Sequence, residues 1–222
     1  MNKKTLLFIA LFIPCLAHGA TVVKTWNFAS STEGLADAGN SVTMAFAADT
    51  STGNPTNCIH FSGLGKNSTQ IEYARNASTG ETWETWGVPS GATVNSIQVT
   101  SWSEETDTSI LGVVASSVSI RIIDSGGTSV TSGAGDPIAS VAVGTTGDSS
   151  WQLPAAGSSR NVDAGKQAST TDVRLEIQQY GRSSGASAFF DQRYDTISLT
   201  ITYTAGGGGG STASRHRIIT SQ

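Results

Sequence analysis

Five tryptophans are the residues of this sequence whose chemistry points most directly to a ligand. They are Trp26, Trp83, Trp86, Trp102 and Trp151. A flat indole can stack on the apolar face of a pyranose while neighbouring polar side chains bind the sugar hydroxyls. Trp83-Glu84-Thr85-Trp86 is the densest group, and residues three apart on a regular strand point to opposite faces. The spacing therefore predicts that one of these two indoles is exposed.

We assign a ligand-binding site to Trp83, Trp86, Glu84 and Tyr180. The alternative is that the aromatic side chains belong to the core, because large aromatic residues most often anchor a core or cover its edge. Trp102 closes an alternating apolar segment and is predicted to be buried for that reason.

Catalytic combinations are scarce. After the first 20 residues the sequence contains two histidines, His60 and His216, so a zinc site or a Ser-His-Asp triad would depend on His60 in a predicted strand. Glycoside hydrolysis needs two facing carboxylates. The acidic groups that could supply them are Glu81 with Glu84, and Glu104-Glu105 with Asp107. We interpret them as solvated loop acids, and predict a protein that is not an enzyme and has no catalytic residues.

Two aspartate-containing turns are the candidates for a metal site. Asp124-Ser125-Gly126-Gly127 and Gly147-Asp148-Ser149-Ser150 offer the carboxylate and carbonyl oxygens that calcium prefers. Neither turn has enough ligands for an autonomous site, so a structural calcium is left open and no other cofactor is predicted. Phosphate-binding loops are excluded because no helix follows the glycines.

Alternating apolar and polar residues define the elements that must carry these side chains. The clearest segments are residues 94–102, 118–123, 173–177 and 197–203, and weaker ones are 22–28, 41–47, 57–61, 70–74, 82–86, 138–143 and 186–190. Turn signals separate these segments, and no helical period is convincing. About ten short strands predict an all-β fold, an antiparallel β-sandwich of the jelly-roll type, with a closed barrel as the alternative.

The two ends of the chain differ in composition from its middle. Residues 1–20 have the basic start, apolar run and small final residues of a secretory signal peptide. That run is shorter than the roughly 18–20 residues of a membrane span, and no later run reaches this length. We expect one β-sandwich domain at residues 21–204, and a glycine-rich linker with a short basic tail at residues 205–222. The predicted location is secreted, periplasmic or at the cell surface.

The mature chain is acidic. Removing residues 1–20 deletes Lys3 and Lys4 and no acid, so 11 basic and 17 acidic side chains remain, a net charge of −6. Nucleic acid is therefore not an expected partner. One cysteine, Cys58, remains and cannot form an internal disulfide, so stability must come from packing.

The ends of the predicted domain resemble those of jelly-roll carbohydrate-binding modules. The opening Thr25-Trp26-Asn27-Phe28 with Glu33-Gly34-Leu35 is similar to an aromatic first strand leading to a Glu-Gly turn, and residues 194–201 are similar to a last strand preceded by an acid. The sequence departs from the pattern at Leu35, where tryptophan is usual. The resemblance covers about forty residues and implies a β-sandwich. Similar sandwiches also serve as adhesive or capsid-associated modules, so the fold alone does not select a function.

Three functions follow as hypotheses. The first is an exported, non-catalytic recognition domain that binds a glycan or a cell-surface polymer, which an exposed aromatic platform would favour. The second is a structural or assembly subunit of an extracellular or virion surface, which buried tryptophans and a stable homo-oligomer would favour. The third is a hydrolase, which needs two of the acids above to be about 5–10 Å apart.

Overall fold

Twelve β-strands make up almost all the regular structure of the described residues. The computed structural model describes residues 19–37, 42–48, 57–65, 69–76, 80–107, 113–133, 135–143, 148–152, 154–183 and 188–206. The strands are β1 (Ala20–Asn27), β2 (Leu35–Asp37), β3 (Val42–Ala48), β4 (Asn57–Gly65), β5 (Thr69–Asn76), β6 (Thr93–Asp107), β7 (Val113–Ile123), β8 (Ala139–Val143), β9 (Asp148–Gln152), β10 (Arg160–Asn161), β11 (Arg174–Ser183) and β12 (Ala188–Thr204). Within these ranges the one helical element is a 3-10 turn, Ala164–Lys166. None of the helical structure described is long and apolar enough to cross a membrane.

The strands form two antiparallel sheets. The seven-stranded sheet has the order β10-β6-β12-β4-β3, with β1 also paired to β12 and β9 to β6. β4 pairs with the first part of β12 and β1 with the second part. The five-stranded sheet has the order β2-β5-β11-β7-β8. The predicted fold class, an antiparallel β-sandwich of the jelly-roll type, is confirmed.

The core lies between the two sheets and follows directly from the alternation in the sequence. The seven-stranded sheet contributes Ile97 and Val99 of β6 with Ile197, Leu199 and Ile201 of β12, and the five-stranded sheet contributes Ile120 and Ile122 of β7 with Leu175 and Ile177 of β11. Successive side chains on a strand point to opposite faces, so the polar residues between these positions lie on the outer faces. Burial of apolar surface is the main stabilising contribution of such a sandwich.

Several elements differ from the sequence prediction. β2, β9 and β10 fall outside every predicted segment. β2 and β10 have three and two residues and are too short to show a period, and β9 has only one apolar residue among its five. Of the segment 186–190, predicted as a separate strand, residues 188–190 form the start of β12, whose 17 residues run on without a turn. Residues 82–86, predicted as a strand, form a turn. The predicted signal peptide lies outside the described residues except for its last two, Gly19 and Ala20.

Asp124 joins the loop after β7 to the 3-10 turn. Asp124 accepts hydrogen bonds from the backbone N–H groups of Gly126 (2.8 Å) and Thr128 (2.9 Å), and it forms an ion pair with Lys166. Burial by itself would raise the pKa of Asp124, but these donors outweigh it and hold the pKa below its usual value. The loop after β7 is thereby tied to the 3-10 turn.

The glycine run after β12 starts in contact with the domain. A Cβ on Gly206 would lie 2.0 Å from the carbonyl oxygen of Gly91, so the two backbones approach more closely than any side chain permits. Gly206 therefore packs on the turn before β6. The predicted linker and tail beyond it lie outside the described residues.

Replacing Gly157 tests how closely its backbone packs against the chain just before β8. We expect Gly157→Ala to lower the free energy of unfolding by about 1–3 kcal/mol, because its Cβ would lie 2.2 Å from the Ile138 carbonyl oxygen. The matched control is Gly165→Ala, where no atom lies within 4 Å of the added Cβ, and it should change stability by less than about 1 kcal/mol. Urea unfolding midpoints measure both variants, and equal midpoints would contradict this packing.

Candidate functional site

The turn at residues 82–88 carries three of the four residues predicted to bind a ligand. The N–H of Trp86 donates to the Thr82 carbonyl (3.2 Å), and the N–H of Val88 to the Trp83 carbonyl (3.0 Å). The Thr82 hydroxyl accepts from the Thr85 N–H (3.3 Å), and the Thr85 hydroxyl accepts from the Thr82 N–H (2.9 Å). These two reciprocal hydrogen bonds resemble those of a capping box, so the segment winds like one turn of helix. The Thr-x-x-Thr spacing is the sequence signal that indicates this turn rather than a strand.

Helical winding explains why Trp83 and Trp86 are both buried. Residues three apart lie on the same face of a helical turn, whereas on a strand they would lie on opposite faces. Trp83 is 0% exposed and Trp86 is 3% exposed. The expectation that one of the two indoles is exposed is therefore wrong. Trp102, predicted to be buried, is 2% exposed.

The indoles of Trp83 and Trp86 pack with that of Trp26 in β1 to form one aromatic cluster. The ring of Trp86 packs edge-on against Trp26 at 5.2 Å and against Trp83 at 5.5 Å between ring centroids. The indole N–H of Trp83 donates to the Lys166 carbonyl (2.9 Å), and the Lys24 ammonium lies 5.5 Å from the centre of a Trp26 ring. Such edge-to-face pairs add to the stability that burial gives. In this arrangement neither indole of the turn presents an open face to a sugar.

Glu84 and Tyr180 occupy different places in the fold. Glu84 is half-buried in the turn and accepts a hydrogen bond from the Ser169 hydroxyl (2.9 Å). Tyr180 lies in β11, opposite Ile71 of β5 and Ser117 of β7. The four residues are thus divided between the turn and the five-stranded sheet. Their ligand-binding role stays a prediction.

Glu81 directly precedes the turn at residues 82–88, which we call the aromatic turn, and its carboxyl group has a raised pKa. Burial raises the pKa of Glu81, and the Trp86 indole and the Lys24 ammonium oppose the rise only in part. A half-buried carboxylate beside indoles loses part of its hydration, which disfavours its charged form. Ionised Glu81 is therefore a cost to the folded state at neutral pH.

Because both indoles are buried, the candidate binding surface is the outer face of the five-stranded sheet, which carries polar residues. We name it the polar face and define it by Ser119 and Arg121 of β7, Ser140 of β8, and Glu176 and Gln178 of β11. Glu176 is paired with Arg121, Gln178 with Ser119, and Ser119 with Ser140. Directly paired residues share one side of a sheet, so these five form adjacent rows. In the backbone pairing, Tyr73 of β5 is the partner of Gln178.

Arg121 organises the polar face by bonding to two carboxylates. Its Nη1 donates to Glu176 Oε1 at 2.8 Å, and its Nε donates to Asp136 Oδ2 at 2.6 Å. The Glu176 side chain is 0% exposed, whereas those of Arg121 and Asp136 are 21% and 23% exposed. A buried carboxylate is tolerated when it is paired and hydrogen-bonded, so the ion pair with Arg121 stabilises the buried Glu176 carboxylate. The next row is joined by a 3.2 Å hydrogen bond from the Ser119 hydroxyl to Gln178 Oε1.

These five residues were not singled out by the sequence. Arg121, Ser119 and Glu176 lie within segments predicted as strands, where alternation places them on the wet side. That signal predicts a polar face, but a pair such as Arg121 with Glu176 depends on the register between two strands 55 residues apart. The register was not readable from either segment alone.

Most of the other residues named as catalytic or metal-binding candidates have side chains outside the described part of the structure. The side chains of His60, Glu104, Glu105, Asp107 and Trp151 lie outside the described set. Within that set, no group of three or more histidine, cysteine and acidic side chains is placed to hold a metal ion. Asp124 is engaged by Lys166 and its own turn, and Gly147 of the second aspartate-containing loop is not described. The structural calcium stays a prediction.

No protein-family model matches the sequence, and no curated protein matches it. Among solved structures, the chain is similar to the carbohydrate-binding module CBM27-1 of Caldicellulosiruptor saccharolyticus in complex with mannohexaose, with 13% identity, a TM-score of 0.41, and coverage of 81% of this chain and 96% of that one. It is also similar to the module TmCBM61 in complex with beta-1,4-galactotriose, with 15% identity, a TM-score of 0.36, and coverage of 74% and 85%. A third similar structure is infectious bursal disease virus Gx strain, with 16% identity, a TM-score of 0.35, and coverage of 75% and 32%.

Replacing Trp86 tests whether the aromatic turn belongs to the core. We expect Trp86→Ala to lower the free energy of unfolding by about 3–5 kcal/mol, because it opens a cavity between Trp26 and Trp83. Val23→Ala is the control, since Val23 is 57% exposed and its truncation should cost less than about 0.5 kcal/mol. Urea unfolding gives both values. If Trp86→Ala unfolds at the wild-type midpoint, the indole is not a core side chain.

Replacing Glu81 tests its raised pKa through the pH dependence of stability. A carboxyl whose folded pKa lies above the unfolded value of 4.5 loses stability as pH rises through the folded pKa. Glu81→Gln cannot ionise, so at pH 7 we expect its Tm to exceed that of the wild type by about 1–3 °C, a modest gain because the group is half exposed. The difference should vanish below pH 4.5 in thermal unfolding followed by circular dichroism. A variant less stable than the wild type at pH 7 would refute the assignment.

Proposed function

We propose that this protein is an exported, non-catalytic recognition domain whose polar face binds a glycan or a cell-surface polymer. The observation that carries the proposal is the row of mixed hydrogen-bonding groups on β7, β8 and β11. The partly exposed Arg121 and Gln178 supply N–H donors and the exposed Ser140 supplies a hydroxyl. Ser119 and Glu176 are buried and bond to Gln178 and Arg121 from below. Each sugar hydroxyl also donates and accepts, so such a row can bind several of them at once.

The rigidity of the polar face supports this proposal. Cross-strand pairs hold the backbone, and the ion pairs of Arg121 with Glu176 and Asp136 fix the guanidinium. A site that is ordered before binding loses less conformational entropy when the ligand arrives. Ser140 is exposed, and Arg121 and Gln178 are partly exposed, so the donors are both held and reachable.

An assembly subunit of an extracellular or virion surface is the second candidate. The outer side of the seven-stranded sheet favours it, because that side is uncharged around β1. Thr21, Val23 and Thr25 of β1 are exposed there and are paired with Thr202, Thr200 and Ser198 of β12. A neutral surface of this kind accommodates contact with another subunit without desolvating charges.

A binding experiment with matched variants separates the two functions. We expect residues 21–222 to bind saturably on an array of neutral and acidic polysaccharides, and Gln178→Ala to weaken binding to the strongest array glycan at least about tenfold. Thr200→Ala, on the outer side of the other sheet, is the control and should bind like the wild type. Calorimetry gives the affinities.

The outcome for Gln178→Ala decides whether the polar face is the site. Unchanged affinity in a folded Gln178→Ala variant would exclude it. The assembly function would be supported instead if no glycan on the array binds and the protein forms a stable oligomer that Val23→Lys dissociates. Light scattering after gel filtration measures the oligomer.

A further inference from the structure

A cavity of about 250 Å³ opens between β6 and β12 in the seven-stranded sheet, away from the polar face. We name it the bulge cavity, and its lining residues are Ser101, Trp102, Ser103, Asp195 and Thr196. Pockets for small ligands usually enclose about 300–1,000 Å³. The bulge cavity is smaller than that, so it suits the end of one side chain.

A β-bulge holds the backbone of the bulge cavity. Two residues of β12, Asp195 and Thr196, oppose one residue of β6, Ser103. The Thr196 N–H donates to the Ser103 hydroxyl oxygen (3.2 Å), and on the other edge of β12 the Phe28 N–H donates to the Asp195 carbonyl (2.8 Å). Bulges turn side chains away from the regular alternation of a strand. The position of Asp195 is therefore fixed from both neighbouring strands.

Asp195 gives the bulge cavity its charge. It is partly exposed and is the one ionisable residue among those that line the cavity. Its Oδ2 accepts a hydrogen bond from the Thr196 hydroxyl (3.0 Å), and no cation in the described part of the chain forms an ion pair with it. A carboxylate has about four acceptor positions, so Asp195 can accept further donors from a ligand.

The sequence around the bulge cavity favours a cationic ligand. Backbone pairing of β6 with β12 continues from the cavity to Asp107 and Asp191. Acids outnumber bases in this stretch, since Arg193 is accompanied by Glu104, Glu105, Asp107, Asp191 and Asp195. Charges of one sign within about 10 Å of each other add their potentials, so this part of the sheet attracts cations.

The C-terminal tail is the segment of this chain with the matching charge. Residues 207–222 include Arg215, His216 and Arg217 and no acid. An arginine guanidinium forms charge-assisted hydrogen bonds with a carboxylate and has further N–H donors for hydroxyl oxygens. Asp195 and the exposed Ser101 offer these two kinds of acceptor in one cavity.

Reach favours the tail of another copy over the tail of the same chain. From Asp195 to Thr204, β12 extends about 30 Å, and Gly206 packs on Gly91 beyond that end. A glycine- and serine-rich coil from Gly206 to Arg215 would span on average about 15–18 Å. The arginines of the same chain would need an almost fully extended tail to reach Asp195, whereas a neighbouring copy brings its own tail closer.

We propose that the bulge cavity receives an arginine, Arg215 or Arg217, from the C-terminal tail of a second copy of this chain. The guanidinium pairs with Asp195 and bonds to the Ser101 hydroxyl. Reciprocal exchange of tails closes a dimer, and one-way exchange links copies into a chain. The contact lies on the other sheet from the polar face, so it goes beyond glycan recognition and can succeed or fail independently of it.

The test measures binding of a labelled synthetic peptide of residues 207–222. The acceptor is residues 21–222 with Arg215→Gln and Arg217→Gln, whose own tail cannot compete. We expect this peptide to bind at least about tenfold more tightly than a peptide with both arginines replaced by glutamine, and 0.5 M NaCl to diminish the preference. Fluorescence anisotropy gives both affinities.

Matched acceptor variants locate the binding site. Asp195→Asn should abolish the preference, because it removes the charge and keeps an oxygen that accepts from Thr196. Asp172→Asn is the control, since Asp172 is exposed and bridges Thr82 in the aromatic turn, and it should bind like the parent acceptor. Ser101→Trp fills the cavity from an exposed position, so it should abolish the preference even if Asp195→Asn fails to fold.

Light scattering after gel filtration tests the second copy. We expect residues 21–222 to associate with rising concentration, and Asp195→Asn or the double arginine substitution to weaken this association. Equal affinity for the two peptides, or a preference that Asp195→Asn and Ser101→Trp leave intact, would overturn the inference without touching the polar face. A peptide that binds while the wild-type chain stays monomeric at every concentration would overturn the second copy as the occupant.

Discussion

The pairing of β12 with β6 is the constraint on which the rest of the sandwich depends. β12 runs through the middle of its sheet, with β6 on one side and β4 followed by β1 on the other. The register that places Ile201 opposite Ile97 directs the apolar residues of both strands into the core. A shift by one residue would exchange the buried and exposed faces of a strand, so this pairing is strongly specified by burial.

Much of this architecture could be predicted from alternation alone. Residues 94–102, 118–123, 173–177 and 197–203 have long enough periods to identify their strands, and their buried faces are the ones the pattern indicates. Strands of two or three residues, such as β10 and β2, have no period to detect and exist because longer neighbours offer them an edge. Strand order also lies beyond a single sequence, since it depends on which distant segments meet.

The candidate site was less accessible to such reasoning for two physical reasons. Trp83 and Trp86 have a spacing that changes meaning with the backbone, because three residues span opposite faces of a strand but one face of a helical turn. The Thr82 and Thr85 hydroxyls decide in favour of the turn. The pairing of Arg121 with Glu176 arises only when β7 and β11 are in register, so the sequence indicates polar residues there but not their partnership.

That partnership also fixes the loop before β8. Arg121 forms an ion pair with Asp136, and the next residue, Pro137, lies in the loop that leads into β8. The N–H of Ile138 then bonds to the Ile120 carbonyl (3.0 Å), which returns the chain to the sheet one residue from Arg121. The loop between these two anchors cannot move away from the sheet without losing the ion pair of Asp136 with Arg121, whose guanidinium also bonds to the buried Glu176 carboxylate. One guanidinium thus fixes both the side chains of the polar face and the loop that leads into β8.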